Sequence, residues 1–300
     1  MQIIKYKFYF LIFSLLILIP GTIALFVYGL KLSIDFTGGS LIRYQFANEV
    51  SRDDLQNIFS EKSVEVETIN TEPDNTYVVR TKPIDPTKNE EIKIAITEKF
   101  EGANLRSFET VGPVIGKETT KNAFVSLGWA SVGILLYIAY AFRNIPKPYS
   151  SFRFGASAII AMLHDALLVV GIFAFLGHFF NTEVDSLFIT AILTVIGFSV
   201  HDTIVVFDRI RENLSKLPKS MNFEDVVNFS IVETLNRSIA TSLTVLVTLL
   251  SLYVLGGESI RTFVLAMLIG IASGTYSSIF TASPILVIWE KFAQTRAKKK

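Results

Sequence analysis

The stretch SLFITAILTVIGFSVHDTIVVF, residues 186–207, decides how this chain is read. It is 22 residues long and apolar apart from a few hydroxyls and two neighbours, His201 and Asp202. A helix needs about 20 residues to cross the hydrocarbon core of a bilayer. The stretch is long enough to cross, and it carries ionisable groups with it. Such groups are costly at depth, so each is a functional candidate by default. Burial there would favour the protonated form of Asp202, and a nearby cation would favour the ionised form. The plain alternative for Asp202 is a hydrogen-bonded structural carboxyl.

Five further apolar runs of spanning length lie outward from it, at 8–30, 122–142, 154–176, 238–255 and 262–289. Half of the 300 residues are hydrophobic and only 18% are charged, against about 25% charge in ordinary soluble domains. Mean hydropathy is +0.46. The reading is an α-helical integral membrane protein with six transmembrane helices. The run 8–28 follows Lys5 and Lys7 as in a signal peptide. No small-residue cleavage site follows it, so it reads as an uncleaved anchor. A net charge of +1 gives no footprint for nucleic acid. The absence of cysteine excludes disulfides, thiol chemistry and thiolate zinc sites. Three scattered histidines, His164, His178 and His201, are too few for a histidine metal site.

Basic residues in short connections set orientation. They are Lys5 and Lys7; Arg143, Lys147 and Arg153; Arg209, Arg211, Lys216 and Lys219; and Arg296 with Lys298, Lys299 and Lys300. The opposite loops carry none at 177–185 and only Arg261 at 256–261. Both termini are expected in the cytoplasm, with a basic tail at 291–300, and residues 31–121 outside.

That outer segment reads as a small α+β domain. Residues 41–46, 64–69, 77–81 and 105–111 are strand candidates. Residues 52–62, with Ser51 as cap, and 86–100, opened by Pro86, are helix candidates. A turn at Pro73, Asp74 and Asn75 joins the middle strands. The order β-α-β-β-α-β is a ferredoxin-like split βαβ unit. Within the five-helix bundle expected at 122–290, Phe223, Val226, Val227 and Ile231 share one face. Residues 222–234 are expected as an amphipathic helix on the membrane surface. No tandem repeat is evident.

Chemistry for an enzyme is missing. The nearest string to a nucleotide-binding loop is Gly112-Pro-Val-Ile-Gly116-Lys117-Glu118. Its spacer is one residue short, and Glu118 stands where a magnesium-binding hydroxyl is needed. The ionisable residues in the spans remain. Arg237, at the start of the fifth run, is the candidate cation for Asp202, with snorkelling to headgroups as the alternative. His164 and Asp165 in the third run are possible relay or packing groups, as is His201. Asp208, Arg209, Arg211 and Glu212 read as a solvated interfacial cluster. Gly270 and Gly274 form a small-xxx-small pattern for helix packing. Ser273, Thr275, Ser277, Ser278 and Thr281 add hydroxyls to that helix, and Pro284 is expected to kink it.

Six strings carry a resemblance: LSIDFTGGS at 32–40, VGPVIGKE at 111–118, MLHDALLVVG at 162–171, VIGFSVHDTIVVFDRIREN at 195–213, LNRSIATS at 235–242 and GTYSSIFTASPILVIWE at 274–290. Their order and spacing resemble the SecD/SecF family of the resistance-nodulation-division superfamily, and the HDT wording resembles its SecF branch. The resemblance implies a free-standing half that pairs with SecD and associates with the SecYEG channel, often with YajC and YidC. It implies a bacterial cytoplasmic membrane, and use of the proton-motive force or a sodium gradient to aid preprotein translocation after SecA's ATP-driven phase. It matches the family's ion-coupling aspartate and arginine to Asp202 and Arg237. The family's glycine-rich loop falls on Gly38 and Gly39, where backbone geometry is the expected role. No cofactor is implied. Protonation of Asp202 would switch its pairing with Arg237 and move the outer domain, which holds emerging preprotein. Two other readings stand beside this one: half of a small-molecule exporter of the same superfamily, and a passive translocon assembly factor. Proton and sodium both remain open as the coupling ion.

Overall fold

A computed structural model describes residues 1–72, 74–218 and 220–297. Pro73 of the expected turn, Lys219 of the basic loop and Lys298, Lys299 and Lys300 of the tail lie outside the described residues. The chain divides into two compact units, Leu32–Val125 and the remainder.

The larger unit is helical. Its elements are α1 (Lys7–Tyr28), the later part of α5 (Pro113–Ala141), α6 (Ser151–Phe180), α7 (Ser186–Lys216), α8 (Phe223–Leu255), α9 (Glu258–Ser277) and α10 (Ser283–Ala297). Among the described residues, six helical spans are long and apolar enough to cross a membrane, α9 and α10 counting as one with the π turn between them. Helix starts follow ordinary capping chemistry. The Asp185 carboxylate accepts from the Phe188 amide at 2.9 Å, and the Asn222 side chain accepts from the Asp225 amide at 2.9 Å. The α6, α7 and α9–α10 spans are half buried, whereas α1, α5 and α8 leave most of their apolar side chains exposed. That is the arrangement of a bundle whose outer helices face an apolar solvent. Phe142, Phe154 and Phe207 pack with ring centroids 5.5–6.1 Å apart at one end of the core, and Phe173 meets Phe188 at 4.7 Å. Helix α1 closes on α6 at paired glycines. A Cβ on Gly171 would stand 2.7 Å from the Gly21 carbonyl carbon.

Two expectations about these helices change, and the expected proline site gains a detail. Residues 222–234 do not form a separate surface helix: they are the first turns of α8, which runs unbroken to Leu255. Phe223, Val227 and Ile231 are buried in the main core rather than turned to lipid. Neither glycine nor proline lies between residues 223 and 255 to break the helix. Helix α7 continues past Phe207 to Lys216, so Asp202 stands about 21 Å from its end at 1.5 Å per residue. At Pro284 the chain widens into a π turn, Ser278–Ala282, ahead of the proline. Proline lacks the N–H that would donate to residue 280, and a π turn is one way to accommodate that loss.

The smaller unit contains α2 (Ile34–Thr37), β1 (Gly39–Gln45), α3 (Arg52–Glu61), β2 (Val66–Glu72), β3 (Thr76–Thr81), α4 (Pro86–Lys99) and β4 (Asn104–Val111). The strands form one antiparallel sheet in the order β2-β3-β1-β4. Ile42 sits opposite Val79 on one side and Phe108 on the other. Leu55 and Phe59 of α3 and Ile92 and Ile96 of α4 pack with Ile42, Tyr44, Tyr77 and Val79 into its core. Ser51 takes the cap position of α3 without a side-chain cap bond, a correction to its expected role. Gly38 and Gly39 have φ of +74° and +126°, and a Cβ on Gly39 would lie 2.9 Å from the Thr81 carbonyl oxygen. That backbone suits only glycine.

Candidate ion-coupling site

Helices α6, α7 and α9 bring buried polar groups together in the middle of the helical unit. Asp202 on α7 is 3% exposed, and its Oδ2 has no hydrogen-bond partner among the described residues. The group that faces it from α8 is Ser238, whose buried Oγ is likewise without a hydrogen bond. His201, next along α7, is exposed.

Arg237 does not take the place expected for it. It is exposed and makes no ion pair with Asp202 among the described residues. Successive residues on a helix point about 100° apart, so a helix that turns Ser238 inward turns Arg237 away.

The neighbouring residue Thr203 shares a hydrogen bond with Ser278 of the π turn at 3.0 Å. Thr275 of α9 donates to Ser242 of α8 at 2.6 Å. Ser230, Thr234, Ser238 and Ser242 are all buried on α8 at four-residue spacing. That hydroxyl stripe is written in the sequence at helical spacing, between the apolar residues of the same run.

Asp165 of α6 has the denser surroundings. It is fully buried, and its Oδ1 accepts from Ser273 Oγ at 2.7 Å and lies 3.0 Å from His164 Nδ1. Its Oδ2 accepts from Ser199 Oγ at 2.6 Å and from Ser277 Oγ. The two adjacent residues do point to different sides: Asp165 turns toward α7 and α9, and His164 folds back onto the Asp165 carboxylate. Ser199 was the residue of this cage that sequence reading missed.

Gly274 and Gly270 bring α9 close to α7. A Cβ on Gly274 would stand 3.3 Å from Ser199 Cα, and one on Gly270 only 2.2 Å from Val195 Cγ2. At the ends of the helices the interfacial charges are mutually paired. Arg209 bonds Glu233 and Glu212, Arg211 bonds Asp208, and Lys216 bonds Glu212. Glu290 of α10 is fully buried and takes two bonds from the Arg153 guanidinium, at 2.7 and 3.0 Å. Lys7 of α1, also buried, donates to Glu224 of α8 at 2.8 Å. Among the described residues no three of His, Cys, Asp and Glu gather as a metal site.

Comparison with known proteins agrees with this architecture. Residues 91–292 match the family described as protein export membrane protein SecD/SecF, C-terminal, and residues 23–50 match the SecD/SecF GG motif. Protein translocase subunit SecF of Thermobaculum terrenum is 48% identical over 96% of this chain and 94% of its own length. SecDF of Bacillus subtilis is 34% identical over 94% of this chain, which spans 37% of that protein. The crystal structure of SecDF from Thermus thermophilus, a translocon-associated membrane protein, superposes with a TM-score of 0.82 at 34% identity. It covers 97% of this chain, and the chain spans 39% of it. A six-span helical bundle and family matches along nearly its whole length therefore place this multi-pass membrane chain in the SecD/SecF protein-export family.

Proposed function

We propose that the chain works as the SecF-type subunit of a protein translocase, coupling an ion gradient to late preprotein export through Asp202. One observation carries the coupling role: a buried carboxylate at the middle of α7 whose Oδ2 makes no close hydrogen bond, with the Ser238 hydroxyl of α8 within reach of it. An unmade hydrogen bond on a buried polar group costs about 1–3 kcal/mol, more for a charged one. A proton on Asp202 removes that cost by turning the carboxyl into a donor. A bare cation held between Asp202 and the nearby hydroxyls would remove it as well.

Arg237 enters as the alternative partner. Turning α8 by about 100° exchanges Ser238 for Arg237 beside Asp202. Proton loss favours that turn, because the ionised carboxylate gains a cation. Proton uptake favours the arrangement described above. The drive suffices, since one charge moved through 100 mV is worth about 2.3 kcal/mol.

The partner is a SecD-type half. The family includes SecDF chains in which both names are joined, and this chain matches under half of such a chain. SecYEG, SecA, YajC and YidC follow as further partners from the family resemblance. The membrane is the bacterial cytoplasmic membrane, with the ends bearing Lys5, Arg143 and Arg209 inside and the smaller unit outside. The antiparallel order β2-β3-β1-β4 with helices between β1 and β2 and between β3 and β4 supports a ferredoxin-like reading of that unit. Export in cells whose only copy carries Asp202→Asn, with recovery of the SecD-type partner as control, tests the coupling role. Unchanged export would favour the passive assembly reading.

A further inference from the structure

We infer that His164 and Asp165 form a second proton-binding site, in which His164 Nε2 takes the proton and Asp165 stays ionised. The inference rests on the helices crossing a membrane, and not on the role of Asp202.

Asp165 is saturated as an acceptor. Each carboxylate oxygen has two neighbours, and three of the four are serine hydroxyls that can donate, which is the acceptor load of an ionised carboxylate. A carboxylate only accepts, so His164 Nδ1 must carry a hydrogen and donate it. That fixes the tautomer. In the neutral ring Nε2 then presents a bare lone pair. His164 is 7% exposed, and its Nε2 has no hydrogen-bond partner among the described residues. It is the one vacant basic atom of the cage.

The charges follow. With a neutral imidazole the pair carries −1 in a layer where an uncompensated charge is costly. A proton on Nε2 brings the pair to zero and gives Asp165 a counter-charge 3.0 Å away. The other helices supply none. Helix α7 offers Ser199, and α9 offers Ser273 and Ser277. On α1 and α10, which also pack against α6, Lys7 and Lys291 are held by Glu224, and Glu290 by Arg153. Asp202 lies on α7 three residues beyond Ser199, so the same helix bears both sites.

The test is a pH titration of the full chain in phosphatidylethanolamine–phosphatidylglycerol vesicles, read by infrared difference spectroscopy. It is run in an Asp202→Asn background, so that its failure is separable from failure of the export experiment. An imidazole-to-imidazolium change is expected that is lost when His164→Gln is added. With Asp165→Asn instead, the imidazole change should persist and no protonated-carboxyl band should be lost. Two results would overturn the assignment: a titration unaltered by His164→Gln, or a protonated-carboxyl band that disappears with Asp165→Asn. Should Asp165→Asn not assemble, His164→Gln alone decides.

Discussion

Gly270 of α9 lies so close to Val195 of α7 that a Cβ at residue 270 would stand 2.2 Å from Val195 Cγ2. This contact sets how near the two helices of the buried layer approach. Gly270→Ala should destabilise the helical unit by about 1–3 kcal/mol, the usual cost of overpacking. Gly274→Ala should cost less, because its Cβ would meet Ser199 Cα at 3.3 Å, where small shifts suffice. Thermal loss of helical circular dichroism in detergent measures both. Equal losses would contradict the ranking.

Glu290 is fully buried, whereas the Arg153 side chain that holds it is partly exposed. Removing one partner of a buried pair costs about 3–5 kcal/mol because the other charge is left uncompensated. Partial exposure of Arg153 lowers the expected loss for Arg153→Ala to about 2–3 kcal/mol. The double change Arg153→Met with Glu290→Leu should recover most of it. Thermal unfolding of the two variants checks this, and a double variant no better than Arg153→Ala would refute it.

Tyr44 sits in the core of the smaller unit with a hydroxyl that has no hydrogen-bond partner among the described residues. Burial, helped by the nearby Glu90 charge, raises its pKa above the ordinary 10. The sign follows: above pH 10 the unfolded chain releases this proton and the folded chain keeps it. Stability of the unit therefore falls as pH rises past 10, and the Tyr44 contribution is fully present below it. Tyr44→Phe should change little at neutral pH and should flatten the alkaline loss. Denaturant unfolding of the full chain, followed by hydrogen exchange in β1 and β3, reads both. An undiminished alkaline slope would contradict the burial argument.

The helices were legible because lipid solvation writes itself as uninterrupted apolar runs. Their ends were not. Pro113–Lys121 is helical but polar, and Phe223–Arg237 is helical but amphipathic, so a hydropathy criterion passes over both. The four strands also emerged from the sequence, with most of their ends shifted by one to three residues. The site was half visible. Asp202 and Asp165 stand out in sequence as charges in apolar runs. Their neighbours do not: Ser199 and Ser277 lie 34 and 112 residues from Asp165, and serine is unremarkable in a membrane helix. Facing direction was lost too. Nothing in the string LNRSIATS says whether Arg237 or Ser238 turns to Asp202.

Preprotein export from cells whose only copy carries Asp202→Asn, measured with recovery of the SecD-type partner, tests the central claim most directly. The account predicts export reduced to the level of cells without the chain, with the partner still bound. Normal export with the partner bound would contradict ion coupling through Asp202.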